Sequence, residues 1–210
     1  MKQRIISIAL SALTLYSGEK KKNTIENIDR GVVALPASQG GFFLSWRLLA
    51  NDTDSVGVDV LRNGEKVATD IIATNFEDKE GTGSSLYSIV TKQRGVEESS
   101  QAIKPWDDMF LSIPVNRPEP GTCPDGKTYT YSPNDCSVGD VDGDGQYEIM
   151  LKWAPSNSHD NSHDGYTGDV IIDCYKLDGK QLWRVNLGRN IRAGAHYTQF
   201  IAYDLDGDGR

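Results

Sequence analysis

Three aspartates at alternate positions, Asp140, Asp142 and Asp144, have the spacing in this sequence that most clearly predicts chemistry. They lie in the stretch "DVDGDGQYE", where Gly145 at the sixth position permits a sharp bend and the carbonyl of Gln146 at the seventh joins the carboxylates. Converging hard oxygen atoms suit calcium, and Glu148 at the ninth position is a further ligand, directly or through water. Without a cation the like charges would repel. The alternative is an acidic β-turn that binds no metal.

The residues after this loop predict a strand rather than a helix. An EF-hand requires a bidentate glutamate at position 12, and that position is Leu151. Tyr147, Ile149, Leu151 and Trp153 instead alternate with more polar residues, which is the period of a half-buried strand. We therefore expect a calcium loop that leads into a β-strand.

A second copy of the motif begins at Asp204 and continues with Asp206 and Asp208, so the repeat length is 204 − 140 = 64 residues. Between the two copies the sequence reads as strand, turn at residues 177–180 and strand, which is typical of a β-propeller blade. Residues 137–210 hold only one to two blades, and propellers close with several. We interpret 137–210 as the truncated start of a β-propeller.

Residues 29–115 predict a small β-sandwich. Leu44, Trp46 and Leu48 share one face of a strand, Val56, Val58 and Val60 share a face of the next, and Asn63 with Gly64 supplies a tight hairpin turn. Six of the eight prolines follow between residues 105 and 136, so we predict few regular elements there and a Pro-rich linker at 116–136.

The first residues resemble an export signal. Lys2 and Arg4 precede an apolar run over residues 5–15, which predicts a signal peptide at 1–17 and a secreted or periplasmic protein. A buried amphipathic helix is the alternative. Because the first cysteine is Cys123, we expect no lipid anchor, and because the apolar run is too short to span a membrane we expect no membrane anchor in the mature chain.

Composition excludes one class of partner. The chain has 210 residues, with 22 lysines and arginines against 30 acidic residues and a net charge of −8, and no basic stripe is present. Nucleic acid is therefore not an expected partner. The cysteines Cys123, Cys136 and Cys174 lack paired metal or redox spacing and are interpreted as incidental thiols, with one disulfide as the alternative.

Three longer stretches resemble the rhamnogalacturonan lyases of polysaccharide lyase family 11. They are "YTYSPNDCSVGDVDGDGQYEIMLKW", "SNSHDNSHDGYTGDVIIDCYKLDGKQLWRVNLGRNIRAGAHYTQF" and "DLDGDG", with "RGVVAL" and "FFLSWRLL" matching the start of the family's β-domain. The resemblance implies an all-β chain, with a fibronectin-III-like β-sandwich followed by the first blades of a calcium-binding propeller that has eight blades in the family. It also implies cleavage of the rhamnogalacturonan I backbone of pectin by β-elimination, and a monomer.

Residue-by-residue transfer of the resemblance gives a small set of positions. Asn134 matches a position that faces the substrate groove, and a turn residue is the alternative; Ala154 replaces the usual aspartate of "KWDPSN". The catalytic residues of the family lie in later blades, beyond Arg210, so no catalytic residue is assigned here. His196 matches a position with a structural role near the central groove.

Other residues that invite a functional interpretation are assigned structural roles. His159 and His163 are expected to be solvated rather than metal ligands, since calcium prefers oxygen. Trp153 and Trp183 are expected to pack the blade core, although an exposed ring would stack on a sugar.

Two functions from different classes follow. The chain is either the N-terminal portion of an exported rhamnogalacturonan lyase, or a non-catalytic, calcium-stabilised module for carbohydrate binding or adhesion. Calcium-dependent release of unsaturated uronides distinguishes them.

Overall fold

The computed structural model describes residues 28–160, 162–194 and 198–205, and every regular element in these ranges is a β-strand. The predicted all-β class is therefore confirmed. The predicted signal peptide at 1–17 lies outside the described residues. Among the residues described, no helix is long and apolar enough to cross a membrane.

The first seven strands form two antiparallel sheets. One has three strands in the order β1-β2-β5, and the other has four in the order β4-β3-β6-β7. Their bounds are β1 (Val33–Pro36), β2 (Phe42–Ser45), β3 (Gly57–Arg62), β4 (Glu65–Ile71), β5 (Asn75–Asp78), β6 (Tyr87–Gln93) and β7 (Val96–Ser99).

Side chains from both sheets fill one core between them. Leu44 of β2, Val60 of β3 and Ile89 of β6 are completely buried and belong to a single apolar cluster. The alternation in the sequence produces this arrangement, because every second residue of a strand points to the same face. The pattern ends earlier than the sequence suggested, since β2 stops at Ser45 and Leu48 is 62% exposed.

The predicted turn between β3 and β4 is present. Asn63 and Gly64 have φ values of 54° and 84°, and Arg62 pairs with Glu65 on either side of them. Positive φ at both central residues is the requirement of the hairpin turn that an Asn-Gly pair satisfies.

A second group of strands follows the prolines. β8 (Gly121–Thr122) and β9 (Thr128–Tyr129) form a small hairpin. The next sheet is an antiparallel meander in chain order, with the strands β10 (Tyr131–Gly139), β11 (Glu148–Pro155), β12 (Ile171–Tyr175) and β13 (Gln181–Asn186).

The Pro-rich segment is more regular than predicted. β8, β9 and the first part of β10 lie inside residues 116–136, so the meander begins at Tyr131 rather than at 137. Proline lacks an N–H and is tolerated in a strand only at an edge or a bulge. Pro133 satisfies both conditions, because β10 is an edge strand and its register shifts between Pro133 and Cys136.

One face of the meander carries an apolar cluster with a buried carboxylate beside it. Trp153 and Tyr175 are each 1% exposed and belong to the cluster, and Asp173 is 0% exposed. Asp173 accepts hydrogen bonds from Trp153 Nε1 at 2.7 Å, from the Tyr175 hydroxyl at 2.6 Å and from Arg184 Nε at 2.7 Å. A buried carboxylate is stable only with such partners.

This carboxylate also positions the segment that precedes β8. The N–H of Asn116 donates to the Tyr175 hydroxyl at 3.0 Å, and Arg184 donates to the Asn116 carbonyl. The Asn116 amide donates to Gln181 Oε1 at 3.0 Å. Two of the three residues that bind Asp173, Tyr175 and Arg184, therefore also fix the backbone of the Pro-rich segment against the sheet.

Replacing Asp173 by asparagine will destabilise the chain. The change removes the charge that pairs with Arg184 and sets an NH2 group against donors, so we expect the free energy of unfolding at neutral pH to fall by about 3 kcal/mol. Asp178→Asn, an exposed position in the β12–β13 turn, is the matched control, with a loss below about 1 kcal/mol. Urea unfolding measures both, and equal losses would contradict a special role for Asp173.

The difference in unfolding free energy between the parent chain and Asp173→Asn should depend on pH. Burial would raise the pKa of Asp173, but hydrogen bonds from Arg184, Tyr175 and Trp153 outweigh it and hold the pKa below its ordinary value. The stabilisation is therefore complete above the unfolded-state pKa of about 3.9 and disappears as the pH falls through the lowered folded-state pKa. Urea unfolding below about pH 3 should show a smaller difference between the parent chain and Asp173→Asn. A difference that does not change with pH would refute this account.

Candidate metal centre

The predicted aspartate loop connects β10 to β11. It follows Gly139, which pairs with Glu148 at the start of β11, so the chain leaves one strand and returns on its neighbour. Gly143 and Gly145 have φ values of 76° and 87°. A side chain would be strained in that region, and the two glycines allow the loop to curl back on itself.

Asp140 organises the interior of the loop. It is 4% exposed, and its carboxylate accepts three backbone hydrogen bonds. Oδ1 accepts from the N–H groups of Gly143 at 2.7 Å and Asp144 at 3.1 Å, and Oδ2 accepts from Gly145 N–H at 2.8 Å. These bonds satisfy backbone donors that the tight curve would otherwise leave without partners.

Three carboxylates converge in this loop. Asp140, Asp142 and Glu148 each offer an oxygen atom, and these atoms lie within 4.8 Å of one another. Glu148 is 1% exposed, and its Oε2 accepts the Val141 N–H at 3.0 Å. Asp144 is not in this closest group; its Oδ1 accepts the N–H of Gln146 at 2.9 Å.

The donor set suits a hard divalent cation. All the converging atoms are carboxylate oxygens, with neither sulfur nor imidazole among them. Calcium binds six to eight such oxygens with flexible geometry, and the anionic cluster supplies the charge that it neutralises. A cation of this class therefore fits the residues that the fold brings together.

Lys176 contacts the same carboxylates and was not predicted. Its Nζ lies 2.7 Å from Asp142 Oδ2, 2.7 Å from Asp144 Oδ2 and 3.6 Å from Glu148 Oε1. The Lys176 ammonium, together with the N–H of Gln146, holds the pKa of Asp144 below its ordinary value. The two aspartates in turn raise the pKa of Lys176.

The contact between Lys176 and the loop carboxylates follows from the pairing of β11 with β12, not from the aspartate motif. β11 and β12 are antiparallel, with Ile149 opposite Tyr175. Continuing that register by one residue sets Lys176 beside Glu148. The sequence motif identifies ligands only within the loop, so a partner 32 residues beyond Asp144 is missed.

The loop also contacts residues that flank the three-stranded sheet. The N–H of Asp29 donates to the Gly145 carbonyl at 2.8 Å. The guanidinium carbon of Arg47 lies 4.5 Å from the centroid of the Tyr147 ring, in the geometry of a cation–π contact. The start of the three-stranded sheet is thus attached to the acidic loop by both backbone and side chain.

Most of the second predicted loop lies outside the described residues. Asp204 is half-buried, whereas Asp206 and Asp208 fall in the range that is not described, as does His196. The three-carboxylate cluster of the described residues contains only members of the first loop.

Asn134 lies in the irregular part of β10. It is exposed, between Pro133 and Cys136, where the register shifts. Ala154 is half-buried and lies opposite Ser132 on β11. The neighbouring Asp135 forms an ion pair of 2.6 Å with Lys152, whose side chain is 7% exposed, and this pair fixes one end of the bulge.

The histidines differ from the prediction in one respect. His163 is exposed as expected, but His159 is half-buried and hydrogen-bonded. Its Nδ1 donates to the Asn157 carbonyl at 2.8 Å, and its Nε2 accepts from Arg192 at 3.0 Å. An arginine donor at one ring nitrogen leaves no position for a metal ion, so His159 is a structural residue of the β11–β12 loop.

Two further predictions concern side chains of the meander. Trp153 is in the core as predicted, but Trp183 is 39% exposed. Trp183 lies on the opposite face of the sheet, where Met150, Ile172 and Val185 line an open groove with Phe200.

The three cysteines are free, with Cys123 and Cys174 buried and Cys136 exposed, in agreement with their interpretation as incidental thiols.

Two family models match adjacent parts of the chain. The model described as "Rhamnogalacturonan I lyases beta-sheet domain" matches residues 23–106. The model described as "Rhamnogalacturonan lyase family 11, C-terminal domain" matches residues 110–210.

Curated relatives and a solved structure agree with these matches. The chain is 54% identical over 193 residues to the rhamnogalacturonan exolyase YesX of Bacillus subtilis (strain 168). This alignment covers 90% of the chain and 31% of YesX. The chain is 55% identical over 188 residues to the rhamnogalacturonan endolyase YesW of the same strain, covering 89% of this chain and 30% of YesW. The crystal structure of the exotype lyase YesX matches with a TM-score of 0.84 and 53% identity, over 90% of this chain and 32% of that one. The chain thus spans less than a third of the length of these relatives.

Asp140→Asn will destabilise the loop even in the absence of metal. An asparagine presents one oxygen and one NH2 group to the three N–H donors, so we expect a loss of about 2 kcal/mol in the free energy of unfolding in the presence of a chelator. Asp142→Asn is the matched control, because Asp142 is more exposed and contacts Lys176 rather than the backbone, and its loss should stay below about 1 kcal/mol. If the two variants unfold at the same urea concentration, Asp140 does not organise the loop.

Proposed function

Because the chain belongs to family 11 of the rhamnogalacturonan lyases, we propose that it is part of an exported enzyme that cleaves the rhamnose–galacturonate backbone of pectin by β-elimination. The observation that carries this proposal is the identity of 54% to YesX over 90% of the chain. An exolyase and an endolyase match with nearly equal identity, so the proposal concerns the bond that is cleaved and not the place of cleavage along the polymer.

The architecture proposed for this part of the enzyme has two units. The two facing sheets of β1–β7 are proposed to be a fibronectin-III-like β-sandwich, and the meander β10–β13 to be the first blade of a β-propeller. A four-stranded antiparallel meander in chain order supports the second assignment. The repeat of the aspartate motif after 204 − 140 = 64 residues supports it independently.

The cation proposed for the loop is calcium. Asp140, Asp142, Asp144 and Glu148 would hold it, together with the carbonyl of Gln146. When bound, calcium would neutralise the carboxylates and tie the end of β10 to the start of β11.

The position of the loop favours a structural role for this calcium. Asn134 lies near the Tyr131 end of β10, and the acidic loop follows Gly139 at the other end. At about 3.3 Å per residue the two points are separated by roughly 15–20 Å along the strand. A calcium ion in the loop is therefore too far from Asn134 to contact the same sugar unit.

The reaction requires removal of a proton α to the galacturonate carboxylate. Such a carbon acid reacts only when positive charge stabilises the negative charge that develops on the carboxylate, and when a base accepts the proton. Asn134 is the residue of this chain that we propose to contact the polysaccharide. The Asp135–Lys152 ion pair would hold it in position, because it fixes the adjacent backbone.

Calcium should raise the melting temperature of the chain. A ligand that binds only the folded state adds about 2.7 kcal/mol to the free energy of unfolding when its concentration is 100 times Kd. Asp140→Asn should reduce this gain, and magnesium should give a smaller gain because it requires stricter geometry and retains water. Thermal unfolding with a chelator, magnesium or calcium measures the effect. An unchanged melting temperature in calcium would refute the calcium proposal.

The activity is tested on the complete product of the gene. The coding DNA is read past the codon for Arg210, and the product is incubated with rhamnogalacturonan I. We expect a rise in ultraviolet absorbance from unsaturated uronides, and a lower kcat/KM in Asn134→Ala because a hydrogen bond to the sugar is lost. Asn51→Ala, at an exposed position between β2 and β3, is the control substitution. An immediate stop codon, or retained pectin binding without any absorbance change, would refute the lyase and favour the non-catalytic binding module.

A further inference from the structure

We propose that Lys176 is a tethered competitor for the loop cation: it neutralises the acidic loop when no calcium is bound and must leave when calcium binds. This inference rests on the calcium site proposed above. A residue outside the aspartate motif would then control both the calcium affinity and the stability of the metal-free loop.

The first argument is that Lys176 contacts carboxylates that a bound calcium ion would also use. The Lys176 ammonium lies 2.7 Å from one oxygen each of Asp142 and Asp144, and 3.6 Å from Glu148 Oε1. Calcium would bind such oxygens at about 2.3–2.6 Å. An ammonium and a calcium ion sharing these ligands would be about 4 Å apart, and their repulsion favours the departure of the monovalent cation.

The second argument is the position of Lys176 at the open side of the loop. The Lys176 side chain is 24% exposed, and those of Asp142 and Asp144 are each 38% exposed. On the inner side Asp140 is 4% exposed and engaged by three backbone N–H groups. An ion entering from solvent therefore meets Lys176 before it reaches Asp140.

The third argument is that Lys176 can leave without any change in the fold. Its backbone is fixed in the β12–β13 turn, because its N–H donates to the Lys180 carbonyl at 2.9 Å and its carbonyl accepts from Gly179 N–H at 2.9 Å. The flexible four-carbon stem can nevertheless swing the ammonium into water. Exchange of one cation for another thus involves a side-chain rotation only.

The consequence is a balance between two states of the loop. The ammonium removes part of the repulsion among the carboxylates, so the metal-free loop keeps its shape. The same contacts oppose calcium, because they must be broken before the ion is fully coordinated. Lys176 therefore lowers calcium affinity while it stabilises the metal-free protein.

The experiment compares two variants that remove one positive charge from the same turn. Lys176→Met deletes the proposed competitor, and Lys180→Met is the matched control, because Lys180 is exposed at the other end of the turn. Calcium is titrated into the full chain, and the backbone amide resonances of Gly143 and Gly145 report binding at this loop. The melting temperature in chelator is measured in parallel.

We expect Lys176→Met to bind calcium about tenfold more tightly than the parent chain, because no ammonium–carboxylate contacts have to be broken before the ion is coordinated. Its melting temperature in chelator should fall. Lys180→Met should change the calcium Kd by no more than about twofold and should leave the melting temperature in chelator close to that of the parent chain. Lys176→Gln, which keeps polar groups at the position, should also bind more tightly and serves if the methionine variant does not fold.

Two results would overturn the inference, and they differ in what they imply. If calcium binds and Lys176→Met has the same or a weaker affinity than Lys180→Met, Lys176 does not compete with the ion, while the calcium site stands. If calcium shifts neither glycine resonance in any variant, the calcium proposal itself fails and this inference fails with it.

Discussion

The carboxylates of Asp140, Asp142, Asp144 and Glu148 must be held in one loop against their mutual repulsion, and much of the surrounding structure serves that requirement. Part of the compensation comes from the loop itself, where three N–H groups point at Asp140. Another part comes from the turn after β12, which carries the Lys176 ammonium. The compensation is thus supplied by the backbone on the buried side and by a side chain on the exposed side.

The same loop is a junction between the two parts of the molecule. Its Gly145 carbonyl binds the Asp29 N–H, and Tyr147 lies under the guanidinium of Arg47. Both contacts need the loop in its curled form, because an uncurled loop would move Gly145 away from the sheet. A change in the charge state of the loop therefore bears on the attachment of the three-stranded sheet as well as on β10 and β11.

The sequence predicts a structural feature well when the residues that determine it are neighbours in the chain. The turn at Asn63 and Gly64, the aspartate loop and the strand after it follow from neighbouring residues, and all three are present. Asp59 shows the opposite case. It stands at a polar position of an alternating strand, yet it is 0% exposed and bound by Lys66 at 2.7 Å and Lys92 at 2.8 Å.

Long-range partners explain the remaining differences. Lys66 and Lys92 lower the pKa of Asp59 to about 2 in spite of burial, and they come from the two neighbouring strands, which no pattern within β3 reveals. Lys176 was missed for the same reason. The early start of β10 is not predicted by a high proline content, which favours irregular chain, although an edge strand accepts proline at a bulge. The exposure of Trp183 depends on which face of the meander is covered, and period-two alternation does not distinguish the two faces.

The bulge in β10 has a consequence for self-association. A four-stranded meander has two open edges, and an unprotected edge is a template for a strand of another molecule. Pro133 offers no N–H along β10, and the register shift up to Cys136 breaks the spacing that an added strand would need. β13 has no proline, and it presents Trp183 and Val185 at 39% and 46% exposure. Intermolecular strand addition to this sheet is therefore directed to β13, while the edge that carries Asn134 stays open to solvent.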